Sequence, residues 1–153
     1  MPLVTAKPGE PSVARDSPVV LIVEDDPDTR RFYQTVFERH GFVTDQAHNG
    51  LQALEKAIQT SPDLILTDIA VPGIDGIELC RRLRADERTR AIPLLAVTGY
   101  HQRHYPDRVK SAGADHVIMK PCGPDTLLAE ARRLLADVGR GVETFSSHKS
   151  VVR

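Results

Sequence analysis

The chain has 153 residues, of which 41% are hydrophobic and 27% are charged, and its formal net charge is −1. This composition is that of one globular domain, and the near-neutral charge gives no overall attraction to nucleic acid or to an anionic membrane. No apolar run approaches the ~20 residues of a membrane-spanning helix, and the N-terminal residues do not read as a secretory signal. Because Cys80 and Cys122 have no metal-site spacing, we expect reduced thiols in a cytoplasmic protein.

Short β-forming runs alternate with helical patterns along most of the chain. In chain order we predict strand 19–23, helix 27–40, strand 42–47, helix 50–60, strand 64–67, helix 75–85, strand 94–97, helix 106–112, strand 117–119 and helix 124–138. Such alternation builds a parallel sheet with helices on both faces. We therefore predict one α/β domain over residues 17–138, with flexible tails at 1–16 and 139–153, and no separate output domain.

Local signals support the first two helices. Asp26 suits the N-cap of the first helix, Pro27 suits its first position and Gly41 suits its end. Hydrophobic residues at helical spacing predict the buried faces. For the first helix they are Phe32, Val36 and Phe37, and for the second Leu51, Leu54 and Ile58.

Polar residues follow four of the predicted strands where each strand ends. They are Glu24 and Asp25 after the first strand, Asp68 after the third, Thr98 after the fourth and Lys120 after the fifth. Open α/β sheets bind ligands at this edge, and neighbouring strands lie only ~5 Å apart. Carboxylates that close together need a compensating cation, and oxygen ligands favour Mg²⁺. With a lysine and a hydroxyl beside them they predict a phosphoryl-transfer site whose nucleophile is Asp68.

Four stretches make the chain resemble the response-regulator receiver domain of two-component signalling. They are VLIVEDDP at 20–27, DLILTDIAVPGIDGIEL at 63–79, LLAVTG at 94–99 and GADHVIMKP at 113–121. The resemblance covers residues 19–138 and implies a flavodoxin-like, doubly wound (βα)5 fold with strand order 2-1-3-4-5. It implies a single-domain regulator similar to the chemotaxis regulator type, which assists its own phosphorylation and dephosphorylation without being an enzyme in its own right.

The resemblance also implies a role for each site residue. Asp68 accepts the phosphoryl group, Thr98 bonds a phosphoryl oxygen and Lys120 pairs with the phosphoryl group, with the Lys120–Pro121 peptide in cis. The Mg²⁺ ligands are implied to be Asp25 directly, Glu24 through water, Asp68, and the backbone carbonyl of Ala70. The expected partners are a sensor histidine kinase or a histidine phosphotransfer protein and an unknown downstream protein, with no direct nucleic-acid or membrane contact.

One position departs from the family pattern. The family often has an aromatic residue three positions before the lysine, and here that residue is Val117. A valine cannot make the ring movement that accompanies activation, so we expect readout through the loop and helix after Thr98, where Tyr100 lies.

Two other functions fit parts of the sequence. A receiver-like module could signal by binding alone, without phosphorylation. A haloacid-dehalogenase-like phosphatase also uses an aspartate at a strand end, in the pattern Asp-x-Asp-x-Thr. Here Asp26 and Asp28 are followed at once by Thr29, one place too early, and the helix-cap function of these acids explains them as well.

Overall fold

The computed structural model describes residues 17–71, 73–99 and 105–148. Across these residues the chain forms one parallel sheet in the order β2-β1-β3-β4-β5, as predicted. The strands are β1 (Val19–Val23), β2 (Val43–Ala47), β3 (Leu64–Asp68), β4 (Leu94–Thr98) and β5 (His116–Met119). The helices between and after them are α1 (Pro27–Arg39), α2 (Gly50–Thr60), α3 (Gly76–Ala85), α4 (Tyr105–Ala112) and α5 (Pro124–His148).

The strands alternate their side chains between two hydrophobic clusters, one on each face of the sheet. Leu21 and Ile65 belong to the cluster that contains residues of α2, α3 and α4. Ile22 and Leu66 belong to the cluster that contains residues of α1 and α5. The three central strands β1, β3 and β4 are buried on both sides of the sheet, which suits their continuous apolar runs and gives a three-layer α/β sandwich.

Side-chain caps fix where three helices begin. Asp26 accepts a hydrogen bond from the backbone N–H of Thr29 and precedes Pro27, as predicted for α1. Asn49 and Asp75 cap α2 and α3 in the same way. Helix α1 follows β1, and α3 follows β3, each after a short loop. The caps of these helices therefore set the geometry of the two loops that carry the predicted site.

The predicted buried faces of α1 and α2 were partly wrong. Phe32 is 41% exposed and Tyr33 takes its place beside Val36 and Phe37, which is the i, i+3, i+4 face of α1. On α2, Leu51 is 55% exposed and the buried residues are Gly50, Ala53 and Ala57. Helix α2 lies close to the loop before α3, since a side chain at Gly50 would collide with Ile74, so small residues form the contact.

Helix α5 is longer than predicted, because it continues from Val138 to His148 through residues expected to form a flexible tail. Gly139 and Gly141 lower helix propensity by roughly 1 kcal/mol each, but no proline follows Pro124 in the chain to stop the helix. Within the described residues, no helix is both long enough and apolar enough to cross a membrane.

Candidate functional site

The strand register brings the predicted polar residues to one edge of the sheet, which we call the carboxyl edge. Val23 of β1 pairs with Thr67 of β3, so Glu24 follows β1 at the level of Asp68. Asp68 in turn pairs with Val97 of β4. Asp68 and Thr98 are the last residues of their strands, where the sequence had placed them just beyond the strand ends.

The carboxylate of Glu24 is buried, and one of its two oxygens accepts no hydrogen bond. Glu24 is 2% exposed, its Oε2 accepts a hydrogen bond from the backbone N–H of Asp26 at 3.1 Å, and its Oε1 is buried with no hydrogen-bond partner. Its own backbone N–H donates to the carbonyl of Ala47 at 3.1 Å, which extends the β1–β2 ladder by one residue. Burying a carboxylate oxygen without a hydrogen bond costs free energy. The position of Glu24 therefore lowers the stability of the fold.

Asp68 is 7% exposed, and both of its carboxylate oxygens accept hydrogen bonds. The backbone N–H of Ala70 donates to Oδ1 at 2.9 Å, and the ammonium of Lys120 donates to Oδ2 at 2.5 Å. The loop after β3 is held tightly, since a Cβ on Gly76 would lie 2.7 Å from the Cα of Ile69. Asp68 is therefore fixed by its strand, its loop and the lysine.

Lys120 bridges the two carboxylates. Its Nζ lies 4.0 Å from Oε1 of Glu24, in addition to its bond to Asp68. Its backbone N–H donates to the carbonyl of Thr98 at 2.8 Å, and the Lys120–Pro121 peptide is cis, as expected. Burial opposes the charged ammonium, but the hydrogen bond and charge of Asp68 outweigh it and raise the pKa of Lys120.

One lysine does not fully compensate the two carboxylates. Burial, reinforced by the adjacent Asp68, raises the pKa of Glu24 to about 7. Lys120 and the Asp26 N–H act in the opposite direction but do not cancel this effect. The site thus has an excess of acidic oxygen, which is the condition that favours binding of a cation.

Of the other predicted site residues, Thr98 and Ala70 bond to this cluster through their backbones. Thr98 is buried, Asp25 is exposed beside Glu24, and Ala70 is exposed after Asp68. Within residues 17–71, 73–99 and 105–148, no three His, Cys, Asp or Glu side chains are grouped so as to hold a metal ion. Short contacts join Glu24, Asp68 and Lys120, and the place of Asp25 in the metal site stays a prediction.

The side-chain oxygens of Glu24 and Asp68 nevertheless suit a hard divalent cation. The unpartnered Oε1 of Glu24 faces the region of Asp68 and Lys120, and both acids offer only oxygen ligands. Mg²⁺ takes one or two carboxylates and completes its shell with water and phosphate oxygens, so three grouped carboxylates are not required.

Sequence reasoning missed Arg30, the fourth residue of α1. Its Nη1 donates to the backbone carbonyl of Glu24 at 2.8 Å, and its Nε donates to Oε1 of Gln46 at 3.1 Å. The sequence contained a signal for this contact. The helix dipole disfavours a cation in the first turn of a helix, so an arginine there is expected to bind other groups.

The expected readout segment is described only in part. Val117 is half-buried and packs against the cluster on the α2–α3–α4 face of the sheet, in keeping with a valine that fills core space. Tyr100 and residues 101–104 lie outside the described residues, so the expectation about the loop after Thr98 stays a prediction.

The fold and this edge define a class of protein: a doubly wound α/β domain with an acidic pair and a lysine beyond its strands. Residues 20–132 match the model of the response regulator receiver domain. The chain therefore belongs to the response-regulator receiver family, and its place in two-component signalling as a phosphoacceptor domain follows from that membership.

Relatives of this chain differ in length. It is 33% identical over 118 residues to the polar-differentiation response regulator DivK of Brucella anthropi, covering 77% of this chain and 96% of DivK. It is 37% identical over 135 residues to RpaA of Synechocystis sp., a DNA-binding dual master transcriptional regulator, covering 88% of this chain but only 56% of RpaA. Hence the chain spans little more than half of the longer relative.

A solved receiver domain shows the same fold. The receiver domain of a sensor histidine kinase from Pseudomonas aeruginosa superposes with a TM-score of 0.74 at 26% identity, covering 78% of this chain and 98% of that one. That domain carries a magnesium ion coordinated in its active-site cleft.

Proposed function

We propose that this chain is a response regulator that accepts a phosphoryl group on Asp68 in a Mg²⁺-dependent reaction and signals by protein–protein interaction. One observation carries the proposal. The carboxylate of Asp68 is buried at the carboxyl edge, bonded to Lys120, and adjacent to Glu24, which retains an unpartnered oxygen. A site that needed only stability would not leave that oxygen without a partner.

In the proposed reaction, a carboxylate oxygen of Asp68 attacks the phosphorus of a phosphohistidine on a sensor kinase or phosphotransfer protein. A P–O bond forms, the P–N bond breaks, and its electron pair returns to the imidazole of the donor. The product is an acyl phosphate. Lys120 supplies positive charge beside the oxygens of the transferred group, and Thr98 supplies a hydroxyl donor at the end of β4.

The metal would be held by Asp25, Asp68 and the backbone carbonyl of Ala70, with Glu24 acting mainly through water. When bound, Mg²⁺ neutralises charge that builds up on the phosphoryl oxygens. Asp25 is exposed and follows the buried Glu24 in the chain. Burial of Glu24 keeps bulk water away from the inner side of the site, which strengthens the interactions that remain.

The wider setting of the protein is also a proposal. We propose a receiver domain over residues 17–138 that acts in the cytoplasm, assists its own phosphorylation and dephosphorylation, and makes no direct contact with nucleic acid or membrane. The net charge of −1 supports the last point. The DNA binding of RpaA belongs to that protein, of which this chain matches only part.

The deciding experiment is phosphorylation by acetyl phosphate with Mg²⁺, followed by intact-mass spectrometry. We expect one phosphoryl group per chain, none after Asp68→Asn, and none when EDTA removes the metal. Asp26→Asn is the matched control, since asparagine caps a helix as well as aspartate does and the neighbouring carboxylate is removed. Phosphorylation of the Asp68→Asn protein would contradict the proposed acceptor.

The same experiment separates the alternatives. A module that signals by binding alone would gain no phosphoryl group under any condition. A phosphatase of the aspartate-nucleophile type would turn over phosphate esters and would lose activity on Asp26→Asn. The structure gives the phosphatase little support, because Asp26 Oδ2 already accepts hydrogen bonds from the backbone N–H and hydroxyl of Thr29 at 2.8 and 2.7 Å.

A further inference from the structure

Arg30 contacts the backbone of the acidic loop after β1 and not its carboxylates. Its Nη1 donates to the carbonyl oxygen of Glu24 at 2.8 Å and lies 3.5 Å from the carbonyl oxygen of Asp25. These contacts use main-chain oxygens only. Arg30 therefore occupies none of the carboxylate oxygens of Glu24 and Asp25.

A chain of side-chain amides orients the guanidinium of Arg30. Gln46 on β2 accepts from its Nε at 3.1 Å and donates through Nε2 to Oε1 of Gln34 at 2.7 Å. Gln34 lies one helical turn after Arg30 on α1, so the network closes between α1 and β2. Amide groups, unlike carboxylates, accept this bond without neutralising the guanidinium.

None of the ion pairs among the described residues includes Arg30, although its side chain is half-buried. A cation in the first turn of a helix, without a carboxylate partner and near a predicted metal site, is unfavourable on electrostatic grounds. Its contacts must therefore supply something other than charge. What they supply is a fixed position for the carbonyls of Glu24 and Asp25.

We propose that Arg30, oriented by Gln46, is a positioning residue that presets the Glu24–Asp25 loop for binding a divalent cation. The inference rests on the proposed function, because it concerns the same metal site. The planar fork of a guanidinium can reach two carbonyls and an amide at once, which an ammonium cannot. Residues that orient metal ligands typically change metal affinity by about 10–100-fold when they are removed.

The sign of the effect tests the proposal. Titration calorimetry of the full chain with Mg²⁺, repeated with Mn²⁺ by electron paramagnetic resonance, gives the dissociation constant without any phosphodonor. Loss of a nearby positive charge alone would tighten cation binding. Loss of positioning weakens it, and we expect Arg30→Ala to raise the dissociation constant about tenfold or more.

The matched control is Arg31→Ala, which removes the same charge from an exposed neighbouring position on α1. It should change the Mg²⁺ dissociation constant by less than about twofold, because exposed charges are screened. Arg30→Lys keeps the charge but not the fork, so we expect weakened binding of intermediate size. Unchanged or tighter binding in Arg30→Ala, or wild-type binding in Arg30→Lys, would overturn the proposal.

A second variant covers the case in which Arg30→Ala does not fold. Gln46→Met keeps Arg30 and the net charge but removes the amide that orients the guanidinium, and circular dichroism establishes folding. We expect about threefold weaker Mg²⁺ binding, since the fork keeps only its carbonyl contacts. Wild-type affinity in a folded Gln46→Met protein would count against the inference.

Kinetics separate positioning from a general loss of the site. At saturating Mg²⁺, phosphorylation of Arg30→Ala by acetyl phosphate should return to within about twofold of the wild-type rate, because Asp68 and Lys120 are untouched. A rate that stays low at saturating metal would overturn the positioning role. If the wild-type chain itself neither binds Mg²⁺ nor gains a phosphoryl group, the proposed function fails instead, and the two failures are told apart.

Discussion

The two edges of the sheet treat polar groups in opposite ways. At the edge where the strands begin, which we call the amino edge, Arg84 donates to the carbonyls of Gly113, Arg90 and Ile92 and to Asp115, at 2.6–2.9 Å. Asp115 also accepts from the backbone N–H of Leu94 at 2.8 Å. The carboxyl edge instead keeps Glu24 Oε1 without a partner and two carboxylates around one lysine.

The contrast shows which edge stabilises the fold and which is available for chemistry. At the amino edge Arg84 bonds three backbone carbonyls and Asp115, so this edge acts as a structural clamp. An incompletely bonded cluster costs stability that the rest of the fold must supply. The following predictions test that division, from the largest expected effect to the smallest.

Removing the clamp should give the largest loss of stability. Arg84→Met removes the side-chain donor from three backbone carbonyls and one of the two donors from Asp115, and we expect the free energy of unfolding to fall by about 3–4 kcal/mol. Urea unfolding followed by circular dichroism measures this loss of stability. Arg82→Met, which removes only exposed contacts with Glu78, should cost less than about 1 kcal/mol. Equal losses in the two variants would remove the distinction between the edges.

Stability of the metal-free protein should depend on pH through Glu24. Its folded-state pKa is raised to about 7 from the ordinary 4.5, so between these values the folded protein holds more protons than the unfolded one. The free energy of unfolding therefore falls as pH rises through this window, and protonation of Glu24 accounts for part of the fall.

Glu24→Gln should remove that part of the pH dependence and weaken Mg²⁺ binding at the same time. Unfolding midpoints in urea from pH 4.5 to 8 measure the first effect, and titration calorimetry measures the second. Glu55→Gln on the exposed surface of α2 is the control and should leave the curve unchanged. A Glu24→Gln curve parallel to that of the wild type would contradict the assigned pKa.

The loop after β3 should not tolerate a side chain at Gly76. A Cβ there lies 2.7 Å from the Cα of Ile69 and 3.0 Å from the carbonyl of Asp68, so the backbone must shift. We expect Gly76→Ala to lower the free energy of unfolding by about 2 kcal/mol and to slow phosphorylation. Gly123→Ala, where nothing lies within 4 Å, should be neutral or slightly stabilising. Wild-type phosphorylation kinetics in Gly76→Ala would show that the position of this loop is not critical.

The smallest effect concerns the third acid after β1. Asp26 is exposed and caps α1, so Asp26→Ala should cost about 1 kcal/mol of stability and leave the Mg²⁺ dissociation constant within about twofold. Asp28→Ala in the first turn of the same helix should cost less than about 0.5 kcal/mol. A large loss of metal affinity on Asp26→Ala would add this residue to the site.

The sequence predicted the elements well because their signals are local. The apolar run 19–23 and the Asp26–Pro27 start of α1 match the structure, as does α2 over residues 50–60. Its errors came from packing. Phe32 and Leu51 fit a helical apolar face by spacing, yet both are exposed, because the neighbouring elements determine which residues are buried.

By itself, the sequence determined the alternating α/β architecture and the polar residues that end the strands, since periodicity, caps and strand ends are encoded by neighbours in the chain. Only the tertiary structure decided that Glu24 is buried with an unpartnered oxygen, that Asp25 is exposed, and that Arg30 and Gln46 support the loop. Arg30 and Gln46 are 16 positions apart and Asp68 and Lys120 are 52 apart, so these pairs meet only when the sheet has formed.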